Sequence, residues 1–148
     1  MREILFKAKR VDNGEWLVGQ YVNTCYPGND KETGHFIVVY PNEYHEIYTS
    51  TICQFTGLCD KNGKKIWESD IISYQRDNDD CPFQNKDTKK RFGKVFYQGF
   101  RSTFAIGMGK NGSRSINDDL WKYVQNGNRV EVIGNQFDNP ELLQEERR

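Results

Sequence analysis

Hydrophobic and polar positions along the chain repeat at a period of two rather than of three to four, and that rhythm predicts strands. Ile4, Phe6 and Ala8 alternate with Leu5, Lys7 and Lys9, and the pattern runs into Asp12-Asn13-Gly14, a hairpin signal, before Trp16 to Val22. The chain therefore opens with a β-hairpin. Turn residues at Pro27-Gly28-Asn29-Asp30 and Thr33-Gly34 lead to His35-Phe36-Ile37-Val38-Val39-Tyr40, whose nearly continuous apolar run predicts a strand covered on both faces, central to a sheet. Ile71-Ile72-Ser73-Tyr74 is a further β-branched and aromatic run. Phe92 to Tyr97 and Ser102 to Met108 make a hairpin across Gln98-Gly99-Phe100-Arg101, and Val130 to Ile133 is the last strand. Two short helical turns complete the set. One falls at Asn117-Asp118-Asp119-Leu120-Trp121, with Leu120 and Trp121 packing inward. The other starts at Asn139-Pro140-Glu141, which offers a cap, a proline for the first helical position and an acid for the dipole; it docks through Leu142 and Leu143 before a frayed tail ends residues 139–148.

The nineteen residues from Gln54 to Ile72 hold two turns and several apolar anchors. Asn62-Gly63 predicts a type I′ reversal, because both of its central positions need positive φ and these residue types tolerate it. Glu68-Ser69-Asp70 reads as a second tight turn, and Phe55, Leu58, Ile66 and Trp67 become core anchors. This block, in which Gln-aromatic-Thr-Gly-Leu is followed by Asp-Lys-Asn-Gly-Lys and Ile-aromatic-Glu-x-Asp-Ile, resembles the YopX family, small proteins found largely in bacteriophages and prophages. Phe55, Gly57, Leu58, Asn62, Gly63, Ile66, Trp67 and Asp70 carry the likeness. Arg2 to Ala8 is similar to the family's start, and Val130 to Asn135 with Asn139 to Leu143 to its end. Ser69 stands where the family pattern usually has Gly, and Trp67 where it usually has Tyr. The resemblance implies a mainly β body with an SH3-like barrel portion, and no activity whose residues could be transferred.

Composition narrows the picture. A chain of 148 residues fits one domain and buries about 70% of the surface its unfolded form exposes, so a core needs no staples. Lys plus Arg number 21 and Asp plus Glu number 21, so no global field draws DNA or an anionic membrane, and neutrality favours self-association. Aromatic residues at 14% suit a β-rich domain with large rings in a modest core. The apolar runs are too short for a membrane span or a signal peptide, which predicts a cytoplasmic protein of a bacterial host. Residues 75–91 form a polar surface loop insertion, with Asp77, Asp79 and Asp80 at one end and Lys86, Lys89, Lys90 and Arg91 at the other.

Little of this points to reaction chemistry. Cys25, Cys53, Cys59 and Cys81 read as free thiols; they form no Cys-x-x-Cys pair and, with only His35 and His45 to help, lack zinc-site spacing. A phosphate loop fails at Gly57 to Lys65, where five residues separate the glycines and Lys65 replaces the Ser or Thr. Cysteine catalysis would need His45 beside Cys53 or Cys59. The binding candidate is residues 86–101, where Lys89, Lys90, Arg91, Lys94 and Arg101 interleave with aromatic residues including Tyr97, a mixture suited to phosphates and bases. Its simpler alternative puts Phe92 and Phe96 in the core and leaves the basic side chains as a wet face. The expected protein is non-enzymatic, without cofactor or metal, self-associating or bound to a host or phage protein; nucleic-acid binding is the alternative.

Overall fold

The computed structural model describes residues 1–26, 29–75, 90–125 and 127–145. The readings of Asp77, Asp79, Asp80, Cys81, Lys86 and Lys89 lie outside the described residues, as does most of the 75–91 insertion. Strands dominate what is described: β1 (Phe6–Lys9), β2 (Trp16–Tyr26), β3 (Asn29–Val39), β4 (Glu43–Glu46), β5 (Cys53–Cys59), β6 (Lys65–Trp67), β7 (Asp70–Tyr74), β8 (Arg91–Gln98), β9 (Thr103–Gly107), β10 (Asn117–Asp119) and β11 (Val130–Asn135). The helices are short, α1 (Leu120–Gln125) and α2 (Leu142–Glu145), with 3-10 turns at Thr49–Thr51 and Lys110–Gly112. The mainly β expectation therefore holds. Two antiparallel sheets run in the orders β4-β3-β2-β1-β5-β6 and β10-β9-β8-β7-β11, and neither closes into a barrel among the described residues.

The chain divides into two compact units, Met1–Gly57 and Leu58–Arg148. In the first, β1 and β2 form the expected hairpin in the register Phe6↔Gly19 to Lys9↔Trp16, with Gly14 at a φ of 71° in the turn. Alternation begins at Phe6 rather than Ile4, which is 45% exposed ahead of the strand. Ala8 points into a core with Ile37 and Ile47, flanked by Phe6, Leu17, Tyr21, Val39 and Ile52. The outward Lys7 and Lys9 lay their ammonium groups over the Trp16 ring, 4.7 and 5.3 Å from its centre. Residues 35–39 of the apolar run lie in β3, inside the sheet between β2 and β4, whereas Tyr40 falls in the turn after it and is exposed. The sheet curls until Ile47 bridges Arg10, and Tyr48 N–H donates to the Lys9 carbonyl at 2.9 Å.

The second unit packs Ile66, Ile72, Tyr74, Val95, Ile106, Leu120, Tyr123 and Val130 into one buried cluster. β7 is central, between β8 and β11, and all five of its residues are buried. β8 and β9 form the expected hairpin, from Lys94↔Gly107 to Gln98↔Thr103. Gly93 is needed where β8 crosses β9, since a Cβ there would sit 2.5 Å from Ile106 Cγ2 and 2.8 Å from the Gly107 carbonyl. The helical turn read at 117–121 is displaced. Asn117–Asp119 pairs with β9 as β10, and the helix starts at Leu120, because strand pairing gives these backbone groups partners that an isolated turn leaves open. Leu120 is fully buried as expected, whereas Trp121 is 43% exposed. The C-terminal turn forms as α2, with Leu143 buried.

Candidate functional site

The Gln54–Ile72 block is built around two buried carboxylates. Asp60, 3% exposed, accepts the N–H groups of Asn62 and Lys64 on Oδ1, both at 2.9 Å, and that of Val132 on Oδ2 at 3.0 Å. The turn residue thus ties itself and β11 together, and Lys61 N–H adds a bond to the Val130 carbonyl. The reversal is not the type I′ turn read from Asn62-Gly63. Only Gly63 has positive φ there, at 81°, and the Asp60 carbonyl accepts Gly63 N–H at 3.0 Å, a three-residue loop closed by a left-handed glycine. The Asp60 side chain selects this form, because it bonds the N–H two residues on as an Asx-turn does.

The second turn forms at Ser69, whose φ is 68° although it is not glycine. Its N–H donates to the Val95 carbonyl at 2.8 Å and its carbonyl accepts Gln136 N–H at 3.0 Å, so both neighbours hold the strained conformation. Asp70, 2% exposed, accepts Trp67 N–H at 2.8 Å. Phe55, Ile66 and Trp67 are buried, Leu58 packs beside the second core, and Gly57 has a φ of 85°. These residues build the scaffold.

The basic-aromatic hairpin is divided. Along β8, Arg91, Gly93, Val95 and Tyr97 alternate with Phe92, Lys94 and Phe96, so Arg91 and Tyr97 share one face while Lys94 takes the other. Phe96 is buried as the core reading anticipates, and the Arg114 guanidinium covers its ring at 4.8 Å. Burial, and then the like charge of Arg114, push the Lys94 ammonium below its ordinary pKa. Tyr97 meets the Phe104 ring edge-on at 5.4 Å. Arg101 donates to Asn117 Oδ1 and pairs with Asp119 at 3.3 Å. His45 Nε2 lies 3.3 Å from Glu43, and Cys53 Sγ donates to the Thr51 carbonyl.

A polar cleft of about 160 Å³ in the second unit was not legible in the sequence. Its lining includes Lys61, Gln75, Lys90, Asn128, Arg129 and Glu131, contributed by the Asp60 turn, the end of β7, the approach to β8, the loop before β11 and β11 itself. Gly127 and Asn128 take φ values of 75° and 39°, and the Asn128 amide holds the loop by donating to the Cys59 carbonyl at 3.0 Å. Arg129 is pinned by the Gln75 carbonyl at 2.9 Å, the Lys122 carbonyl at 3.3 Å and the Tyr123 ring at 5.2 Å. Lys61 and Glu131 pair at 3.1 Å. Asn126-Gly127-Asn128 is a turn signal visible in the sequence, but nothing local shows that its loop meets Lys61 and Lys90.

The family model described as YopX protein matches residues 6–144. A search of curated proteins gives no match. The crystal structure of protein EF1440 from Enterococcus faecalis is similar, with a TM-score of 0.51 at 21% sequence identity, covering 97% of this chain and 99% of that one; a likeness at that identity speaks for the fold alone.

Proposed function

The chain belongs to the YopX protein family, and from that premise we propose that it is a non-catalytic accessory protein of a phage or prophage, acting in the host cytoplasm, that holds a protein partner on strand β4. One observation carries the reading. β4 ends its sheet order, and the hairpin that presents it leaves Tyr40 92% and Tyr44 54% exposed beside the acidic Glu43 and Glu46. The Glu46 carbonyl already accepts Val11 N–H at 3.0 Å, so the part of this edge offered to an incoming strand is Glu43 to His45, and exposed tyrosines beside it supply rigid contact area with little conformational entropy to lose. The charge pattern selects the occupant. Antiparallel self-pairing about Tyr44 and His45 sets Glu43 opposite Glu46, which is repulsive, so an extended segment bearing Lys or Arg is preferred over a second copy. Self-association, which zero net charge leaves unopposed, remains the second mode. The curl that brings Ile47 onto Arg10 supports an SH3-like barrel as the finer description of the first unit.

The test is capture from induced cells with tagged wild-type protein and with a Tyr44→Lys, Glu43→Lys variant, before and after nuclease. A nuclease-resistant partner retained by the wild type and lost by the variant is expected. Equal capture by both proteins removes β4 from the reading. Capture abolished by nuclease favours the alternative, a nucleic-acid module using Lys89, Lys90, Arg91, Lys94, Tyr97 and Arg101, whose binding then weakens steeply with salt.

A further inference from the structure

We propose that the lane of sheet beside β4 receives the free N-terminus of a partner protein, as a strand antiparallel to β4 whose α-ammonium group meets the Asp12 carboxylate. The inference rests on the β4 reading above and adds which end of the partner is recognised. Backbone bonding defines the lane. The His35 carbonyl accepts Ile47 N–H at 3.2 Å, so Glu46, paired with Phe36, turns its own N–H and carbonyl away from β3. Tyr44, two residues back along the strand, does the same. The lane is filled at one end only. Arg10 bridges Ile47 and Val11 N–H reaches Glu46, after which Asp12-Asn13-Gly14 turns the chain away into β2. Among the described residues no strand pairs with Tyr44 on that side.

A strand in this lane runs only a short way toward Val11 before it meets the chain already there, which suits a chain end. An antiparallel strand arrives with its N-terminal end and a parallel one with its C-terminal end. Charge separates the two. Arg10 donates to the two Asp12 oxygens at 2.9 and 2.6 Å, and its guanidinium is raised above its ordinary pKa by that bond first, with Glu15 and Glu43 adding their fields. One guanidinium thus serves three carboxylates among these described residues. The Asp12 carboxyl is held below its ordinary value by the Arg10 bond first and by His45 among the lesser causes, which places β4 within its reach. A C-terminal carboxylate arriving there adds a like charge, whereas an α-ammonium finds an opposite one. Away from Val11 the lane is open, and the strand continues past Glu43 toward the turn that carries Tyr40.

Two pools of randomised octapeptides, both amidated at the C-terminus and differing only in a free or an acetylated N-terminus, are passed over immobilised full-length protein to test this. At pH 7 the wild type is expected to retain the free pool about two- to five-fold better, the gain that one partly exposed charge pair supplies. At pH 9, above the α-amino value of about 8 while peptide lysines stay charged, that preference is expected to vanish. Asp12→Asn is expected to lose the preference at pH 7 yet hold the acetylated pool as the wild type does, which shows the edge intact. Equal retention of both pools by the wild type, abolished in the Tyr44→Lys, Glu43→Lys variant, overturns recognition of the terminus and leaves docking on β4 standing. Retention untouched by that double variant, or no retention of either pool, removes both. A preference for the free pool shared by wild type and Asp12→Asn also overturns the proposal, since the amine is then read elsewhere.

Discussion

Single residues decide how the signature block folds, and two of them separate what its sequence announces from what it conceals. Gly63, Ile66 and Asp70 occupy the turn and core places their types suggest. Asp60 reads as an ordinary turn former, yet one of its oxygens bonds a residue seventy-two positions away, and no local pattern encodes a partner at that distance. Asp60→Ala leaves three N–H groups without their acceptor, and bonds to a charged group contribute about 1.5–3 kcal/mol each when buried. Water can replace the acceptor at the turn itself, so a loss of about 2–4 kcal/mol by urea unfolding is expected, with Asp60→Asn losing less because an acceptor oxygen remains. Ser69 makes the complementary case. Its left-handed φ survives without glycine because Val95 and Gln136 hold its backbone, and that conformation costs an L-residue about 1–2 kcal/mol. Ser69→Gly relieves that strain at some price in unfolded-state entropy, so a gain of up to about 1 kcal/mol is expected, while Ser69→Val loses stability because a β-branched side chain fits that region worst. Equal melting temperatures for the serine, glycine and valine forms would contradict the account.

Elements were legible where period and turn chemistry agreed. The β1–β2 and β8–β9 hairpins lie where alternation and Gly-containing turns put them. Residues 117–119 did not, since Asn and Asp suit a helix cap as well as a bend, and the pairing with β9 that settles the matter is a tertiary event. That junction has a titratable element. Burial alone would raise the Asp118 carboxyl, but the Lys122 ammonium, the Asp119 N–H and the Tyr123 hydroxyl together hold it below its ordinary value. A carboxyl depressed in the folded state contributes stability that is complete above the unfolded value of about 3.9 and drains away as pH falls through the folded value. Asp118→Asn is therefore expected to cost less than about 1 kcal/mol at neutral pH, since the pair is partly solvated, and the difference from wild type should shrink on acidification below pH 4. Parallel stability curves for the two proteins from pH 7 to pH 3 would place the carboxylate outside the folding equilibrium. In β8, Gly93→Ala drives a methyl group against Ile106 and the Gly107 carbonyl, and overpacking of this kind costs about 1–3 kcal/mol.

At the scale of the whole molecule, composition gave a single-domain length, and no linker composition marks a division. The boundary between the units falls at Gly57 and Leu58, inside β5 and inside the signature block, where sequence shows only a continuous strand. The polar cleft was hidden for a related reason, since its charges become neighbours only when separate segments are folded together. Among the described residues each unit has its own buried cluster, Ala8, Ile37 and Ile47 in the first and Ile66, Ile72, Val95 and their partners in the second, with no residue in common. Deleting most of a fully buried isoleucine costs about 2–5 kcal/mol, a large share of the roughly 5–15 kcal/mol that holds a domain folded. Ile37→Ala should then lower hydrogen-exchange protection across β1 to β4 and leave the amides of β7 to β9 near their wild-type values, and Ile72→Ala should do the reverse. Separate losses follow from cores that do not share side chains, because local opening exposes only the apolar surface of its own cluster. Uniform loss of protection in both variants would mean that β5 transmits the damage, and the chain would then unfold as one cooperative body.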